Sequence, residues 1–443
     1  MKYYVATYGC QMNVHESEKL AGILEKLGYK PASSMFESDI VVFNTCCIRE
    51  SAEQKIFGNI GELKKTKMQN KNMIVAVCGC MSQQKGYDEI LAKKFPFIDI
   101  IFGTHNLSKF EDFVKLRKKT KKRVVSIDET EDIKDRDSME KVRTSGVNAW
   151  VNIMYGCNNF CTYCIVPYVR GREVSRPMSD VVKEVKSLLE SGYKQITLLG
   201  QNVNSYGNDV EDSTMTFANL LGELDKLDFD FRLRFMTSHP KDLSSDVIDV
   251  IASSKHISHY IHLPFQSGSN KILSAMNRRY TKEKYLATID EIKAKIPDVQ
   301  FSSDIIVGFP GETEEDFLQT LDVVKKVGFE QLFMFMYSKR KGTVAEKMDG
   351  HIDISVKKER LSRLIELERE ISSGISETFV GKTLRVLVEE ASPKKQGFLV
   401  GSIDQGKAIN FEGNPDLIGQ FVDVKVTKAK LTSLFGEIVR GEE

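Results

Sequence analysis

Strand-like and helix-like patterns alternate along most of this chain, and this alternation constrains its fold more than any other feature. Between residues 3 and 127, short apolar runs predict strands at Tyr3–Tyr8, Ile40–Asn44, Met73–Val77, Ile98–Phe102 and Val124–Ile127. Helical periodicity fills the intervals between these runs. Because repeated β-α units form mostly parallel sheets with helices on both faces, we predict a doubly wound α/β domain here.

A second series of β-α units extends from about residue 147 to residue 376 and is followed by a change of pattern. Six parallel strands with intervening helices predict a partial or full β/α barrel in this central segment. Five short alternating segments, separated by Gly, Pro and Asn turns, then predict a small all-β barrel similar to oligonucleotide-binding barrels. The six central strand candidates are Trp150–Tyr155, Gln195–Leu199, Phe231–Met236, Ser258–Leu263, Gln300–Val307 and Gln331–Tyr337.

These patterns predict three domains and one linker. The boundaries are 1–118 for the amino-terminal domain, 119–142 for the linker, 143–375 for the central domain and 376–440 for the small barrel. The linker is predicted from the charge pattern, because seven of the nine residues from Lys115 to Arg123 are Lys or Arg and an acidic stretch follows. Opposite charge blocks with little apolar content are typical of a solvated linker.

Composition excludes several classes of protein but does not indicate a partner. The chain is 41% hydrophobic and 28% charged, which excludes a mainly disordered protein. Its 63 basic and 62 acidic residues give a net charge of +1, so any nucleic-acid signal must be local. No apolar run approaches the roughly 18 residues of a membrane span, and the first residues do not resemble a signal peptide. We therefore expect a cytoplasmic protein with reduced thiols and no membrane partner.

Three of the eight cysteines lie within eight residues, directly after a predicted strand. Cys157, Cys161 and Cys164 have the spacing C-x3-C-x2-C. Thiolates bind iron–sulfur clusters and zinc, but a structural zinc site requires four ligands. Three ligands on a four-iron cluster would leave one iron open for a substrate or cofactor. Such clustering is improbable for three incidental thiols, so we favour a metal cluster.

This pattern resembles the radical S-adenosylmethionine enzymes. The resemblance implies that the three cysteines hold a [4Fe–4S] cluster that binds S-adenosylmethionine, whose reductive cleavage yields a 5′-deoxyadenosyl radical. Asp304–Glu312, after the fifth central strand, resembles the adenine-contacting segment of that family and lies where barrels bind ligands. Instead of binding the cofactor, Gln266 could have a structural role in its loop, and Asp304 could cap the next helix. The cofactor-binding residues implied by the resemblance are Tyr163, Gln201, Gln266, Asp304, Gly308, Pro310 and Gly311.

Three more cysteines end successive strands of the amino-terminal domain. Cys10, Cys46 and Cys80 are 36 and 34 residues apart, about one β-α unit each. In a parallel sheet the carboxyl ends of the strands share one edge, where ligands bind, so these thiols are expected to converge. The alternative is that they are ordinary buried thiols. Cys47 and Cys78 are predicted to be packing thiols, although either could compete as a ligand.

Two three-cysteine sites followed by a small β-barrel resemble the methylthiotransferases over essentially the whole chain. Thr7–Asn13, Val166–Pro177, Leu199–Asn204 and Thr237–Pro240 match the tRNA-modifying MiaB group of that family. The resemblance implies 2-methylthiolation of N6-isopentenyladenosine in tRNA, immediately 3′ of the anticodon. It implies catalytic roles for all six cysteines, with an auxiliary [4Fe–4S] cluster on the amino-terminal three, and tRNA binding by a carboxyl-terminal TRAM domain.

The resemblance also implies the cofactors and partners of such an enzyme. S-adenosylmethionine would serve as methyl donor and as radical source, together with two [4Fe–4S] clusters. The electron donor would be a protein such as flavodoxin or ferredoxin, whereas the sulfur source stays open. Arg170, Arg172 and Arg176 form a basic cluster for which phosphate contact is a hypothesis. From Ser376 onward there are nine basic and ten acidic residues, so charge alone does not indicate RNA binding.

Two alternatives within and outside this class stay open at the level of sequence. The same enzyme chemistry could act on threonylcarbamoyladenosine in tRNA or on a ribosomal protein. A non-catalytic iron–sulfur protein that binds RNA and senses oxygen or iron is the alternative of another class. Cleavage of S-adenosylmethionine by the reduced protein would distinguish the enzymes from the sensor.

Overall fold

A computed structural model describes residues 1–47, 50–130, 139–143 and 145–439. The chain forms two compact units. The first contains Met1–Thr144 together with two short segments around the first central strands, Tyr155–Asn158 and Cys164–Val174. The second contains the rest of the central segment and the carboxyl-terminal barrel.

The first unit is built on one parallel sheet, as the alternating pattern predicts. Its strands have the order β2-β1-β3-β4-β5-β6, and every neighbouring pair is parallel. The strands are β1 (Lys2–Thr7), β2 (Lys30–Pro31), β3 (Ile40–Thr45), β4 (Ile74–Gly79), β5 (Ile100–Phe102) and β6 (Val124–Ser126). The α-helices of its first 130 residues are Gln11–Lys26, Glu50–Gln69, Cys80–Gln83, Tyr87–Lys94 and Phe110–Thr120.

The sheet is covered on both faces, because alternate residues of a strand point to opposite sides. Ile40 and Val42 of β3 pack in one apolar cluster with the helices Gln11–Lys26 and Phe110–Thr120. Val41 and Phe43 of the same strand pack in another cluster on the opposite face. This arrangement confirms the doubly wound α/β prediction.

The basic run at 115–123 is more ordered than a solvated linker would be. Its first half forms the end of the helix Phe110–Thr120, and β6 follows it and pairs in parallel with β5. Strand β6 therefore extends the first sheet from within the segment that was predicted to be linker. Residues 131–138 of the acidic stretch lie outside the described residues, and the predicted domain boundaries stay a prediction.

The second unit begins with six parallel strands that form two groups of three. The first group has the order β11-β10-β7 and the second β12-β13-β14. A parallel bridge from Leu233 to Ile257 lies at the junction between the groups. This is the partial form of the predicted β/α barrel. The six strands are β7 (Asn148–Asn152), β10 (Gln195–Leu199), β11 (Arg232–Phe235), β12 (Tyr260–His262), β13 (Gln300–Val307) and β14 (Gln331–Met336).

Helices surround these strands, and their apolar faces share one large core with them. The predicted strand Trp150–Tyr155 is split, since β8 (Met154–Tyr155) follows β7 separately and pairs with β9 (Val174–Ser175). The α-helices from residue 166 to 327 are Val166–Arg170, Met178–Glu190, Phe217–Asp225, Ser245–Ser253, Asn270–Ala275, Lys282–Lys295 and Glu314–Val327.

The tail is a closed five-stranded barrel of strand order β15-β16-β17-β19-β18, which confirms the small all-β prediction. The helix Ile354–Glu377 leads into it. Within the described ranges, neither this helix nor any other combines the length and the apolar character that a membrane span requires. The strands are β15 (Thr383–Ala391), β16 (Phe398–Ile403), β17 (Ala408–Glu412), β18 (Phe421–Ala429) and β19 (Ser433–Ile438).

The small barrel docks on the amino-terminal ends of the central strands. Arg232, the first residue of β11, donates to the Ser402 carbonyl at 3.1 Å. Asp404 accepts from the His259 amide at 2.8 Å, just before β12. Lys407 lies 2.9 Å from Glu330, just before β14. The barrel thus lies at the end opposite to the carboxyl ends, where a ligand of the central domain is expected to bind.

Candidate functional site

Cys10, Cys46 and Cys80 lie at the carboxyl edge of the first sheet. Cys10 precedes the helix Gln11–Lys26 after β1, Cys46 directly follows β3, and Cys80 directly follows β4. These three strands are neighbours in the sheet, and neighbouring strands lie about 4.8 Å apart. The structure therefore brings the three predicted auxiliary cysteines to one edge, and none of the three forms a disulfide.

Glycines allow the close approach at this edge. Gly9 has φ +110°, and a Cβ there would lie 2.6 Å from Cys46 Cβ and 2.8 Å from its Sγ. Gly79 has φ +92°, and a Cβ there would lie 2.4 Å from the Thr45 carbonyl oxygen. Side chains at these positions would push the cysteine loops apart. The sequence analysis missed these glycines, although the Gly-Cys pair recurs at 9–10, 79–80 and 156–157.

The two neighbouring thiols Cys47 and Cys80 have different protonation preferences. Cys47 donates a hydrogen bond to Cys80, which lowers the pKa of the Cys80 thiol to about 6 against the opposing effect of burial; the Arg170 guanidinium lowers it further. The same hydrogen bond, together with burial, raises the pKa of Cys47 well above its usual value. The thiolate, which is the form that binds metals, is therefore favoured at Cys80.

Cys78 has a different environment from Cys80, although the two are separated by a single residue. Cys78 is 1% exposed and packs in the apolar cluster on one face of the sheet. Complete burial raises the pKa of its thiol well above the usual value. Cys80 instead packs with Cys47, Ile165 and Val169. Cys78 thus has the environment of a packing thiol.

A buried guanidinium lies beside these cysteines. Arg170 is 6% exposed and belongs to the first unit. Its Nη1 donates to Glu16 Oε1 at 2.7 Å and its Nη2 to Asn13 Oδ1 at 2.8 Å. Arg176 is also buried, and its Nη1 donates to Glu184 Oε2 at 2.8 Å. The hypothesis that Arg170 and Arg176 contact phosphate is therefore wrong, because their charges are buried and paired within the protein. Arg172 is exposed.

Successive residues of the second cysteine motif, Cys157–Cys164, form hydrogen bonds with different segments of the chain. Cys157, in the first unit, donates its amide to the Gly171 carbonyl at 3.1 Å. Cys161, in the second unit, lies 3.6 Å from Arg278 Nη1. The next residue, Thr162, donates its amide to the Met276 carbonyl at 3.1 Å. Cys157 and Cys161 are buried and Cys164 is partly exposed, and none of the three forms a disulfide.

The segment after β13 forms a turn held by two buried charges. Gly308 (φ +70°) donates its amide to Glu312 Oε2 at 2.7 Å. Arg360 donates to the same oxygen at 2.7 Å. Burial raises the pKa of Glu312, whereas the Gly308 amide and the Arg360 charge oppose this rise. Gly311 (φ +77°) donates to the Gly350 carbonyl at 2.9 Å, so Pro310 lies between two anchored glycines. Sequence analysis missed Arg360 because it lies 48 residues away in the chain.

The other predicted cofactor-binding residues also lie at or near the carboxyl ends of central strands. Gln201 follows β10 by two residues, and Asp304 lies within β13 rather than after it. Gln266 has φ +65° and pairs with β13 through the Asp304 carbonyl and the Ile306 amide. This pairing gives Gln266 a structural role in its loop. Tyr163 packs beside an apolar cluster of Ile272, Met276, Phe309, Tyr337 and Ala345.

His239 and His262 have the environments of structural residues. Burial, with the nearby charges of Arg278 and Lys241, lowers the pKa of His239 to about 2, so its ring is neutral. Its Nδ1 accepts from the Lys241 amide at 3.2 Å, which closes the turn after β11. His262 Nδ1 lies 2.9 Å from Ser302 Oγ on the neighbouring strand.

Three family models match successive parts of the chain. The uncharacterized protein family UPF0004 matches residues 2–103, the radical SAM superfamily 151–324 and the TRAM domain 377–439. Two relatives share 50% identity over 438 residues and 99% of this chain, one from Thermoanaerobacter pseudethanolicus (92% of that protein) and one from Clostridium tetani (96%). Both are named tRNA-2-methylthio-N(6)-dimethylallyladenosine synthase. This chain belongs to that synthase family.

The fold of this chain is also similar to that of a solved radical S-adenosylmethionine enzyme. The methyltransferase TsrM from Kitasatospora setae, with cobalamin and a [4Fe–4S] cluster bound, has a TM-score of 0.56 and 13% identity. The match covers 95% of this chain and 83% of that one. At this identity the likeness concerns the fold alone.

The cofactors of the synthase are two [4Fe–4S] clusters and S-adenosylmethionine. The donor set fits them, because six cysteines without disulfides lie in two motifs and the Cys80 environment favours thiolate. Within the described ranges, no three Cys, His, Asp or Glu side chains are grouped closely enough for a single metal ion. A four-iron cluster does not require such a group, because each thiolate binds a different iron.

Proposed function

We propose that this chain transfers a methylthio group to adenine C2 of N6-dimethylallyladenosine (isopentenyladenosine) in tRNA, at the position next to the anticodon. The observation that carries the proposal is 50% identity to synthases of this name over 99% of the chain. The donor set of the site supports it, since both cysteine motifs of such an enzyme are present and form no disulfide. A ribosomal protein or threonylcarbamoyladenosine as substrate becomes an outcome of the test below.

The chain's own residues would bind and orient the cofactors. Cys10, Cys46 and Cys80 would hold the auxiliary cluster, and Cys157, Cys161 and Cys164 the radical cluster. When bound, these clusters and S-adenosylmethionine supply the methylthio group and the radical that removes the C2 hydrogen. Cys47 would keep Cys80 ionised by donating its S–H, and the Gly79 conformation would aim Cys80 at the sheet edge.

The segment at 308–311 would bind S-adenosylmethionine at a ligand-binding strand end. Glu312 and Arg360 would act as positioning residues, because both hold the turn from its buried side. Gln201, Asp304 and Tyr163 lie at or near other strand ends and would contribute polar and aromatic contacts. Gln266 is already engaged with β13 through its backbone, so only its side-chain amide is proposed for the cofactor.

The tRNA would extend beyond the catalytic end of the central domain. The small barrel docks on the amino-terminal ends of the strands, and the eight residues of β13 span about 25 Å. Lys425, Lys428 and Lys430 are exposed on or beside β18, and Lys430 lies over the Phe435 ring at 5.0 Å. Lys395 also lies over a ring, that of Phe398 at 3.5 Å, but the exposed lysines of β18 (the β18 face) give three basic side chains against two there, which suits a nucleic-acid backbone better. The barrel would therefore contact a part of the tRNA distant from the reacting base.

Point variants test the β18 face better than removal of the whole small barrel. Truncation after Gly374 would cut inside the helix Ile354–Glu377 and expose the buried Arg232. We expect Lys425→Ala/Lys428→Ala to weaken tRNA binding and to reduce the salt slope of log affinity by about 2, for two lost phosphate contacts. Cleavage of S-adenosylmethionine without tRNA should not change. Filter binding over a salt series provides the measurement.

The matched control removes the same charge from another part of the barrel. Lys394 and Lys395 are exposed in the turn between β15 and β16. Lys394→Ala/Lys395→Ala should leave the salt slope close to that of the unchanged protein. Equal slopes for both double variants would contradict the assignment of the β18 face.

The substrate assignment is tested by comparing modified and unmodified tRNA. Burying the five-carbon dimethylallyl group contributes about 0.8 kcal/mol per carbon, on the order of 4 kcal/mol in total, or about a 700-fold preference. We expect efficient methylthiolation of tRNA carrying this group and little of the unmodified transcript. The assay uses reduced protein, excess S-adenosylmethionine and nucleoside mass spectrometry under anaerobic conditions.

Isotope labelling separates the reaction from its alternatives. Deuterium placed at adenine C2 should appear in 5′-deoxyadenosine as the product forms. Label that stays in the methylthiolated tRNA would contradict hydrogen abstraction from C2. Methylthio transfer only to a ribosomal protein or to threonylcarbamoyladenosine would retain the enzyme class and overturn the substrate.

The proposed setting follows from the substrate. A tRNA-modifying enzyme with reduced cysteines would act in the cytoplasm, where thiols stay reduced. The reducing equivalent for the radical cluster would come from a small electron-transfer protein such as flavodoxin or ferredoxin. Reduction of the purified protein by each candidate donor, followed by 5′-deoxyadenosine release, provides the test.

A further inference from the structure

Arg170 is a fixed cation at the edge that carries the auxiliary cysteines. Its two terminal nitrogens bind Glu16 at 2.7 and 3.2 Å in a bidentate pair, and Nη2 also donates to Asn13. The same Asn13 oxygen accepts from Cys10 Sγ at 3.8 Å, and Val169, the residue before Arg170, packs with Cys80. The guanidinium therefore lies beside two of the three proposed cluster ligands.

The partners of Arg170 are themselves held in place. Asn13 is fully buried, and its Nδ2 donates to the Tyr8 carbonyl at 2.7 Å and the Thr45 carbonyl at 3.0 Å. These two residues precede the Gly9-Cys10 and Cys46 positions, so Asn13 ties the first two cysteine loops together. Glu16 is 2% exposed. The planar guanidinium of Arg170 donates to both Glu16 and Asn13. A lysine would supply the same charge but not these paired hydrogen bonds.

The mechanism proposed above does not use this charge. A positive charge buried beside a cluster stabilises the more negative, reduced state over the oxidised state, because the interior screens charge weakly. Glu16 carries the opposite charge and reduces this effect. Hydrogen bonds to cluster sulfurs and nearby charge are among the factors by which a protein sets cluster potential.

We infer that Arg170 is a positioning residue that raises the reduction potential of the auxiliary cluster and orients Cys80 toward it, with Glu16 moderating the charge. The inference rests on the proposed function in one respect, namely that Cys10, Cys46 and Cys80 hold that cluster. Removal of either charge should then shift the potential, and the two removals should act in opposite directions.

The test isolates the auxiliary cluster in the full-length chain. Cys157, Cys161 and Cys164 are replaced together by Ala, and the protein is reconstituted anaerobically with iron and sulfide. Redox titration followed by electron paramagnetic resonance gives the potential of the remaining cluster. In this background, Arg170→Met should move the potential to more negative values and Glu16→Gln to more positive values. Arg170→Lys should restore part of the shift, because it keeps the charge but not the fork.

Arg117→Met is the matched control. Arg117 is partly buried and is also paired, with Nη2 2.6 Å from Asp99 Oδ1, but Asp99 lies just before β5, at the opposite edge of the same sheet. Its loss should destabilise the first unit without moving the potential.

The outcomes separate this inference from the proposed function. A background protein that binds no iron would overturn the cysteine assignment. A cluster whose potential is the same in Arg170→Met and Glu16→Gln as in the background would overturn the role of Arg170 alone. If Arg170→Met fails to assemble a cluster, Glu16→Gln decides by the sign of its shift, and a negative or absent shift overturns the inference.

Discussion

Cys80→Ala is expected to abolish methylthiolation while reductive cleavage of S-adenosylmethionine continues. Cys80 follows β4 directly at the sheet edge, and its environment favours the thiolate. Loss of a residue that only supports a metal ligand lowers activity by up to about 100-fold. Loss of the ligand itself should therefore lower product formation by about 100-fold or more. Cleavage depends on the other cysteine motif, so 5′-deoxyadenosine should still form. Nucleoside mass spectrometry and 5′-deoxyadenosine analysis on one sample measure both activities.

Cys78→Ala is the matched control, because it removes the same atom two residues earlier. Cys78 packs in the apolar core of one sheet face, whereas Cys80 packs with Cys47, Ile165 and Val169. Loss of the Cys78 thiol should therefore lower the free energy of unfolding by about 1 kcal/mol and leave most of the activity. A variant pair with the reverse behaviour would make Cys78 the ligand and Cys80 the packing thiol.

Replacing Cys157, Cys161 and Cys164 together by Ala should remove one of the two clusters and all cleavage of S-adenosylmethionine. The amino-terminal cysteines belong to a separate sheet edge with its own hydrogen bonds, so their cluster should persist. Iron and sulfide analysis should give about half the content of the unchanged protein, one cluster in place of two. Circular dichroism controls for folding.

The converse variant completes this experiment. Cys10, Cys46 and Cys80 replaced by Ala should leave one cluster and retain cleavage without methylthio transfer. A folded Cys157/Cys161/Cys164 variant without any iron would show that the auxiliary site does not form independently. Two clusters in either variant would contradict the division of the six cysteines into two sites.

The fold could largely be predicted from the sequence, because each segment has one consistent period. The fully apolar runs of β3 and β4 indicated strands buried on both faces, and the structure covers both faces with helices. The alternation in β18 indicated a half-exposed barrel strand, with Val424 and Val426 buried and Lys425 exposed. Patterns of this kind are local, so they need no knowledge of distant contacts.

Charge was a poorer guide than apolar pattern. Charge predicted a linker from residue 119, yet the helix Phe110–Thr120 extends into it, and β6, which the apolar run Val124–Ile127 predicted, lies within it. Val124 at the start of β6 is 8% exposed and supplies a small apolar contact that composition alone does not reveal. In the same way, Arg170 and Arg176 looked like a surface cluster, but each has a carboxylate partner that removes it from the surface.

The sequence by itself predicted the six cysteines as cluster ligands and determined the strands that three of them follow, because motif spacing and strand periodicity are properties of neighbouring residues. Only the tertiary structure distinguished Cys80 from Cys78, because Cys78 packs in the apolar core of the sheet and Cys80 packs beside Cys47. Only the tertiary structure paired Arg170 with Glu16 across 154 residues and Arg360 with Glu312 across 48. A buried charge must find its partner wherever the fold places one, and no local pattern records that choice.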